Sequence, residues 1–299
     1  MMPSVSEERG DADVRIAVFS DIHSNYHAFK ACVDYVLEKG IDHFLLLGDY
    51  VSDCAYPQKT MNLLYELRAN FKCWFIKGNR EEYLINHRNG CEDGWTSPST
   101  ASGSLLYTYE NLTREDLSFF ENLKISGHMS IEGCPDFLFC HGSMEYSRGD
   151  LRPGSKEAIK TLESMTTDML VCGHTHMQGI NECNGKKIVN VGSVGIPWGY
   201  QGDAQFGILY GNTDGWDIEL IQLSYDKETA VKELYESQLN EKANIWVKLV
   251  EATLLTGIDR SRDCLCKALQ KCEEREGAAK WSNLSEAYWE EAAREMGYI

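Results

Sequence analysis

The chain has 299 residues, of which 43% are hydrophobic and 25% are charged, and its formal net charge is −17 at pH 7. This length allows one large α/β domain and a smaller appendage. The negative charge argues against a nucleic-acid polymer as partner, because such binding relies on Lys and Arg to neutralise phosphates. A small phosphorylated substrate remains compatible with it, since bound metal ions create a local positive site on an acidic protein.

Residues 1–13 are polar and acidic, and we expect them to form a disordered tail without a signal peptide. No stretch approaches the roughly 20 apolar residues that span a bilayer, so no membrane association is expected. The 11 cysteines are scattered, and Cys264 and Cys266 lack a second Cys/His pair that would complete a zinc site. Reduced thiols and a cytoplasmic location are therefore predicted.

Strands and helices are predicted to alternate over the first eighty residues. A β-rich apolar run precedes apolar residues at helical spacing, and the pattern then repeats. This alternation favours parallel strand pairing with right-handed crossovers. The predicted order is strand Val14–Phe19, helix about 26–39, strand 43–47, helix about 58–69 and strand 73–76.

The next 150 residues are predicted to be helical first and then rich in strands. Asn184-Gly185 and Asp214-Gly215 indicate antiparallel hairpins. The expected core is a pair of mixed sheets with helices outside. The predicted elements are mostly helix over 80–123 with a break at 89–104, strands near 125–131 and 136–140, a helix near 155–165, and strands at 169–172, 187–191, 205–210 and 216–223.

Residues 225–299 carry almost no strand signal and are predicted to be a helical C-terminal extension of a domain over residues 14–224. Asp226 can cap the first helix, and apolar residues from Trp246 to Leu254 recur at helical spacing. Three roles remain open for the extension: packing on the core, covering the site, or holding a homo-oligomer together.

Five short polar motifs follow predicted strands in chain order. They are Asp21-Ile22-His23, Gly48-Asp49, Gly78-Asn79, His141-Gly142 and Gly173-His174-Thr175-His176. Strand ends in α/β folds converge on one edge, so these side chains are expected to meet there. Carboxylate, amide and imidazole ligands suit Mn, Fe, Zn or similar ions. Two such metals about 3.5–4 Å apart need a bridging carboxylate and favour phosphate-ester hydrolysis. Alone, the His174-Thr175-His176 segment is equally compatible with a polar loop.

This ordered set resembles the calcineurin-like metallophosphoesterase superfamily, whose motifs are written DxH, GD, GN, H and GHxH. Residues 190–197 (NVGSVGIP), followed by Gly202-Asp203-Ala204, are similar to an NxGSxGxP element of its small bacterial phosphodiesterase branch. The resemblance covers about residues 14–224. It implies a four-layer αββα sandwich of two mixed sheets, with the helical extension outside it.

The resemblance also implies a role for each motif residue. One divalent metal would be bound by Asp21, His23 and His176, and the other by Asn79, His141 and His174, with Asp49 bridging. A metal-bound hydroxide would be the nucleophile. Mn and Fe are the favoured metals, and Zn and Ni are the further candidates.

One position departs from the family pattern. Many members have a histidine after the GN pair, but this chain has Arg80 followed by Glu81. Arginine stays charged at working pH, so Arg80 is a poor general acid and a good phosphate clamp. The alternatives are an ion pair with Glu81 or a surface position. Leaving-group protonation would then fall to water or another residue, which favours stabilised leaving groups.

Two further polar residues have two interpretations each. Asn25 either supports the metal ligands from behind, and so contributes to catalysis, or caps the following helix. Asp53 either hydrogen-bonds a ligand histidine or has a loop role.

The predicted function is hydrolysis of a small or nucleotide-like phosphodiester. A phosphomonoesterase and a dinucleoside polyphosphate hydrolase are the enzymatic alternatives, because ligand motifs hold the phosphorus and not the rest of the substrate. A non-catalytic interaction scaffold is the third possibility, and no lost ligand supports it.

Overall fold

The alternating runs at the start of the chain form the centre of the first sheet. The computed structural model describes residues 14–92, 95 and 99–299, and within them the strands form two five-stranded sheets. In the first sheet, the first three strands of the chain are parallel to one another. Two later strands form a hairpin, and one of them pairs antiparallel with the first strand of the chain. Its spatial order is β10 (Gly215–Leu223), β9 (Ala204–Asn212), β1 (Val14–Phe19), β2 (His43–Leu46) and β3 (Lys72–Phe75).

The second sheet is also mixed. Its spatial order is β4 (Ser126–Met129), β5 (Phe137–Cys140), β6 (Met169–Cys172), β8 (Lys186–Asn190) and β7 (Gly179–Cys183). Strand β7 was not predicted, because it is a half-exposed edge strand without an apolar run. The predicted hairpin turn at Asn184-Gly185 joins β7 to β8. Both turn residues have positive φ, 52° and 77°, as a tight hairpin turn requires.

Apolar side chains from both sheets fill the space between them, including Val18, Leu45, Phe137 and Val171. Helices cover the two outer faces, as Phe29 does on the first sheet and Leu162 on the second. The predicted four-layer αββα sandwich is confirmed. These helices are α1 (Tyr26–Glu38), α2 (Pro57–Asn70), α3 (Asn79–Arg88), α4 (Thr100–Glu110), α5 (Arg114–Glu121) and α6 (Lys156–Ser164).

The predicted break at 89–104 is too long, because α4 begins at Thr100. Residues 93–94 and 96–98 of that break, and the disordered tail predicted for 1–13, lie outside the described residues. The 11 cysteines are free thiols. Among the described residues, no helix is long and apolar enough to span a membrane.

The C-terminal extension is helical and packs against the domain. Side chains from its first three helices, such as Leu234, Leu239 and Val247, share a cluster with Tyr107 of α4 and with Ile196. The last two helices join this cluster through two tryptophans. Trp246 and Trp289 pack edge to face, with ring centroids 6.2 Å apart. The helices are α7 (Lys227–Glu236), α8 (Leu239–Lys242), α9 (Asn244–Thr256), α10 (Ser261–Glu276) and α11 (Glu286–Glu295).

Candidate metal centre

The five sequence motifs lie on loops that follow strands β1, β2, β3, β5 and β6, so both sheets contribute to one site. Backbone hydrogen bonds join these loops to each other. The amides of Asp21 and His23 donate to the carbonyls of Gly48 and Asp49, each at 3.0 Å. The amide of Gly173 donates to the carbonyl of His141 at 3.0 Å. The loops are therefore continuations of the sheet edges rather than independent segments.

The glycines before Asp49 and Asn79 permit a close approach of two loops. A Cβ atom on Gly48 would lie 2.2 Å from the Gly78 nitrogen, and one on Gly78 would lie 2.2 Å from Asp49 Oδ1. Gly48 also has a φ of +96°, which disfavours other residues. The Gly-Asp and Gly-Asn pairs are thus explained by the packing of the loops that carry the two polar side chains.

Five of the predicted ligands have a left-handed backbone. Their φ values lie between 50° and 66°, and the residues are Asp21, His23, Asp49, His174 and His176. Such conformations cost non-glycine residues on the order of 1–3 kcal/mol each and are concentrated at functional sites. The surrounding hydrogen bonds hold these residues in a geometry that the chain would not adopt alone.

Each buried aspartate presents one oxygen to the imidazoles and has the other fixed by the protein. Asp21 Oδ2 accepts from Ser20 Oγ at 2.5 Å and from the His174 amide at 2.9 Å. Its Oδ1 has no hydrogen-bond partner and lies 3.1 Å from His176 Nε2. Asp49 Oδ1 accepts from the Arg80 amide at 2.8 Å. These paired constraints orient a free carboxylate oxygen toward the centre.

Three imidazoles are held by their Nδ1 atoms in the same way. His141 Nδ1 donates to the Leu47 carbonyl at 2.8 Å, and His176 Nδ1 donates to the Ile196 carbonyl at 2.7 Å. His23 Nδ1 lies 2.8 Å from Asp53 Oδ2. A carbonyl or a carboxylate only accepts, so Nδ1 carries the proton and neutral Nε2 offers its lone pair to the centre. This arrangement is the one that metal-binding histidines use.

The free atoms form two overlapping groups. Asp21, His23 and His176 make one, and Asp21, Asp49 and His141 make the other, with ligand atoms within 4.8 Å of one another. Asp49 Oδ2 faces both groups, at 3.8 Å from His23 Nε2 and 3.5 Å from His141 Nε2. Asp21 Oδ1 also faces both groups, at 3.7 and 3.9 Å from the same two nitrogens.

The two remaining predicted ligands lie beside His141. Asn79 Oδ1 is 3.3 Å from His141 Nε2, and the His174 ring centroid is 5.2 Å from that of His141. The structure thus brings all seven predicted ligands together. The orphaned oxygen of Asp21, the converging Nε2 atoms and the mixed oxygen and nitrogen donors fit a pair of divalent cations.

The electrostatics of the cluster point the same way. Burial alone would lower the pKa of His141, but the Asp49 and Asp21 carboxylates outweigh it and raise that pKa to about 10. Burial is likewise outweighed at His23, where the nearby Asp21, Asp53 and Asp49 carboxylates raise the pKa to about 9. The buried carboxylates therefore favour positive charge at this site. Without metals, protons on His23 and His141 supply that charge. Burial, aided by the charge of His141, lowers the pKa of His174 to about 4, so His174 is neutral and able to bind a metal.

Arg80 does not pair with Glu81, so that alternative is wrong. Arg80 Nη2 lies 3.0 Å from Asp53 Oδ2, and the Arg80 side chain is 22% exposed. Asp53 therefore contacts both His23 and Arg80. The predicted hydrogen bond between Asp53 and a histidine of the site is present, at His23. Asp53 also lies in a loop, so both interpretations of this residue hold.

Glu81 is a support that the sequence reasoning missed. Its buried carboxylate accepts from the amides of Asp49, Tyr50 and Gly78, each at 2.8 Å. Glu81 thereby ties the loop after β2 to the loop after β3. The available signal was its place three residues after Gly78, the position of a helix-capping glutamate.

Asn25 both caps α1 and supports the loop of Asp21. Its Oδ1 accepts from the Ala28 amide at 3.2 Å, and its Nδ2 donates to the Gly195 carbonyl at 2.9 Å and to Tyr225 Oη at 3.0 Å. Ser193 Oγ donates to the Asp21 carbonyl at 2.8 Å. The NVGSVGIP segment therefore backs the Asp21 loop.

The C-terminal extension reaches the site. Trp246, Thr253 and Asp259 line a cavity of about 50 Å³ together with Arg80 and His176. Trp246 Nε1 donates to Asp53 Oδ1 at 2.9 Å. No local pattern in the sequence indicated these contacts, because Trp246 and Asp53 are 193 positions apart.

Comparison with known proteins agrees with this fold. Residues 14–214 match the calcineurin-like phosphoesterase superfamily domain. This match covers more than half of the chain, so the protein belongs to that superfamily. It is a metal-dependent phosphoric ester hydrolase.

Individual relatives are more distant. An uncharacterized protein of Methanocaldococcus jannaschii is 25% identical over 243 residues, which are 76% of this chain and 94% of that protein. Among solved structures, a hypothetical protein of Pyrococcus horikoshii OT3 is 20% identical with a TM-score of 0.68, covering 82% of this chain and 99% of its own. A metallophosphoesterase from Sphaerobacter thermophilus is 21% identical with a TM-score of 0.62, and the match covers 83% of this chain and 100% of that protein. Residues 1–224 make up about three quarters of this chain, and both solved structures cover more than that. The common fold therefore includes part of the helical extension.

Proposed function

We propose that this protein is a phosphodiesterase that uses two divalent cations, with Mn or Fe favoured, to hydrolyse a small or nucleotide-like ester. The observation that carries the proposal is the cluster in which buried carboxylates and Nδ1-anchored imidazoles direct their free atoms at one another. Such an arrangement is costly without cations, because burial penalises charged groups that lack full compensation. The assignment to the small bacterial branch stays a prediction based on the NVGSVGIP element.

Each ligand has a place in this proposal. Asp21, His23 and His176 would hold one cation. Asn79, His141 and His174, which lie beside one another, would hold the other, with Asp49 facing both. Bound divalent cations supply Lewis acidity and activate water for phosphate-ester hydrolysis. The residues of the chain supply the fixed geometry, because the carbonyls of Leu47 and Ile196 prevent two imidazoles from turning.

Arg80 has the properties of a phosphate clamp. Its side chain is partly exposed and lines the same small cavity as His176. The exposed N–H groups of the guanidinium would donate to a phosphate oxygen. An arginine in this position binds the anion but does not give up a proton, so substrates with stabilised leaving groups are favoured.

The charge around Arg80 favours a phosphodiester over a phosphomonoester. Arg80 is the one Lys or Arg among the described residues that line the small cavity, which also contains the Asp53 and Asp259 carboxylates. A diester carries a single negative charge at the phosphate, whereas a monoester carries nearly two at neutral pH. With the same two cations bound, the second charge would add repulsion from the Asp53 and Asp259 carboxylates, and the cavity offers no second cationic side chain among the described residues.

Arg80→Ala tests the proposal with bis(p-nitrophenyl) phosphate and p-nitrophenyl phosphate as substrates, with Mn²⁺ or with a chelator. We expect the wild-type protein to prefer the diester and to lose activity with the chelator. Loss of a charged hydrogen bond of about 1.5–3 kcal/mol should lower kcat/KM by roughly 10- to 100-fold. Arg88→Ala, in the last turn of the same helix, is the matched control.

The contrary outcomes are distinct. An Arg80→Ala protein with unchanged kcat/KM would remove the clamp from the proposal and leave the metal centre in place. A preference for the monoester would favour the phosphomonoesterase alternative. A folded, Mn²⁺-loaded protein that hydrolyses no phosphate ester would favour the scaffold.

A further inference from the structure

We propose that Trp246 of the C-terminal extension is a positioning residue of the active site, which keeps Arg80 available to the substrate phosphate. Trp246 does so through Asp53, whose carboxylate lies between the indole and the guanidinium. This inference rests on the proposed function, because it assigns a phosphate as the ligand of Arg80.

Asp53 has both carboxylate oxygens occupied. Oδ2 lies 2.8 Å from His23 Nδ1, accepts from Ser52 Oγ at 2.9 Å, and lies 3.0 Å from Arg80 Nη2. For Oδ1, the hydrogen bond from Trp246 Nε1 at 2.9 Å is the sole one among the described residues. Trp246 therefore decides whether Oδ1 is free to take another donor.

That occupation limits how Arg80 and Asp53 can pair. Arginine and a carboxylate prefer a bidentate arrangement, in which two N–H groups bind the two oxygens. Here Arg80 makes one close contact with Asp53, and Arg80 Nε is left buried without a partner. Because the indole holds Oδ1, the carboxylate cannot turn to take both donors. The exposed part of the guanidinium therefore remains for a phosphate oxygen.

The position of Trp246 is itself well fixed. It lies in the first turn of α9, whose Val247, Val250 and Leu254 are buried against Ile196 and the preceding helices. Asp53 needs such a restraint, because its φ of 65° is left-handed and its side chain is 2% exposed. A rigid helix thus restrains a strained loop residue beside the metal ligands.

Trp246→Phe is the test, because it keeps an aromatic ring and removes the N–H donor. Trp289→Phe is the matched control, since Trp289 lies in the same extension, is fully buried, and has an Nε1 without a hydrogen-bond partner. The control loses more buried packing than the test variant and no hydrogen bond. The measurements are the affinity of the Mn²⁺-loaded protein for inorganic phosphate by calorimetry, and kcat and KM for bis(p-nitrophenyl) phosphate.

We expect Trp246→Phe to weaken phosphate binding and raise KM by roughly tenfold, the effect of one charge-assisted hydrogen bond, with a smaller change in kcat. Trp289→Phe should leave both values near wild type. In an Arg80→Ala background, Trp246→Phe should have no further effect, because the residue through which it acts is absent.

Two results would overturn the inference while the proposed function stands. One is equal behaviour of Trp246→Phe and Trp289→Phe. The other is a Trp246→Phe effect that persists at full size in the Arg80→Ala background, which would place its action elsewhere. A wild-type protein that is inactive and binds no phosphate would overturn the proposed function and this inference together.

Discussion

Replacing Glu81 tests whether the metal-ligand loops are held by a buried carboxylate rather than by the metals alone. Glu81 is fully buried and accepts from three amides, two at Oε2 and one at Oε1. In Glu81→Gln the amide oxygen best takes the place of Oε2, which leaves the amide nitrogen opposite the Tyr50 N–H. One acceptor is then lost.

The expected magnitude follows from that count. A buried donor without a partner costs about 1–3 kcal/mol, and Glu81→Gln also removes a buried charge near Asp49, so we expect it to lower the free energy of unfolding by about 1–2 kcal/mol. Glu81→Ala leaves three amides unpaired, but it also removes a buried charge near Asp49, so we expect a loss of about 3–5 kcal/mol. Both variants should also bind Mn²⁺ roughly tenfold more weakly, because Asp49 and Asn79 lie on the released loops.

Glu115→Gln is the matched control, since Glu115 also lies in the first turn of a helix but is exposed. It removes the same favourable interaction with a helix N-terminus, worth about 0.3–1 kcal/mol. The assay is urea unfolding in the presence of a chelator at pH 8. Burial and the nearby Asp49 raise the pKa of Glu81 to about 7, so its carboxyl is ionised at this pH. Equal losses for Glu81→Gln and Glu115→Gln would refute the reasoning.

Two further predictions concern pH and charge. In the metal-free protein the pKa values of His23 and His141 are raised to about 9 and 10, so their stabilising contribution is complete below 6.5 and is lost as pH rises through these values. Mn²⁺ must displace the same protons, and fewer of them are bound at higher pH. In a thermal unfolding assay, the rise in Tm that Mn²⁺ produces should therefore grow between pH 6.5 and 8.5. A decline over that range would contradict the assignment of these histidines as ligands. Asp259→Asn keeps the oxygen that accepts from the Ser261 amide and removes the charge, so the ratio of monoester to diester kcat/KM should rise several-fold, and an unchanged ratio would refute the charge argument.

The sandwich could be predicted because its central strands are short apolar runs between turn residues. Strand β7 could not, since an exposed edge strand needs no apolar side chains. The start of helix α4, residues 100–104, was missed for a different reason. Its buried Ser102, Gly103 and Ser104 are small and polar, and a Cβ on Gly103 would lie 2.2 Å from the Lys242 carbonyl. That helix is placed by close contact with the extension, which its own sequence does not reveal.

The metal-ligand motifs were visible in the sequence because each combines a polar side chain with a turn at the end of a strand. Their supports were less visible. Glu81 lies beside a motif but acts on a loop 32 positions away, and Trp246 acts on Asp53 from a separate part of the chain. Such contacts depend on the packing of distant elements, which local patterns do not encode. The departure at Arg80 was visible, but its partner was not.

The number of cations that activity requires tests the central claim most directly. Metal-free protein should be titrated with Mn²⁺ while binding is followed by calorimetry and diester hydrolysis is assayed at each point. We predict two Mn²⁺ sites per chain, with activity that appears only as both fill. Asp49→Asn, which alters the carboxylate that faces both groups of ligands, should weaken both. A single site, or full activity in the presence of a chelator, would contradict the account.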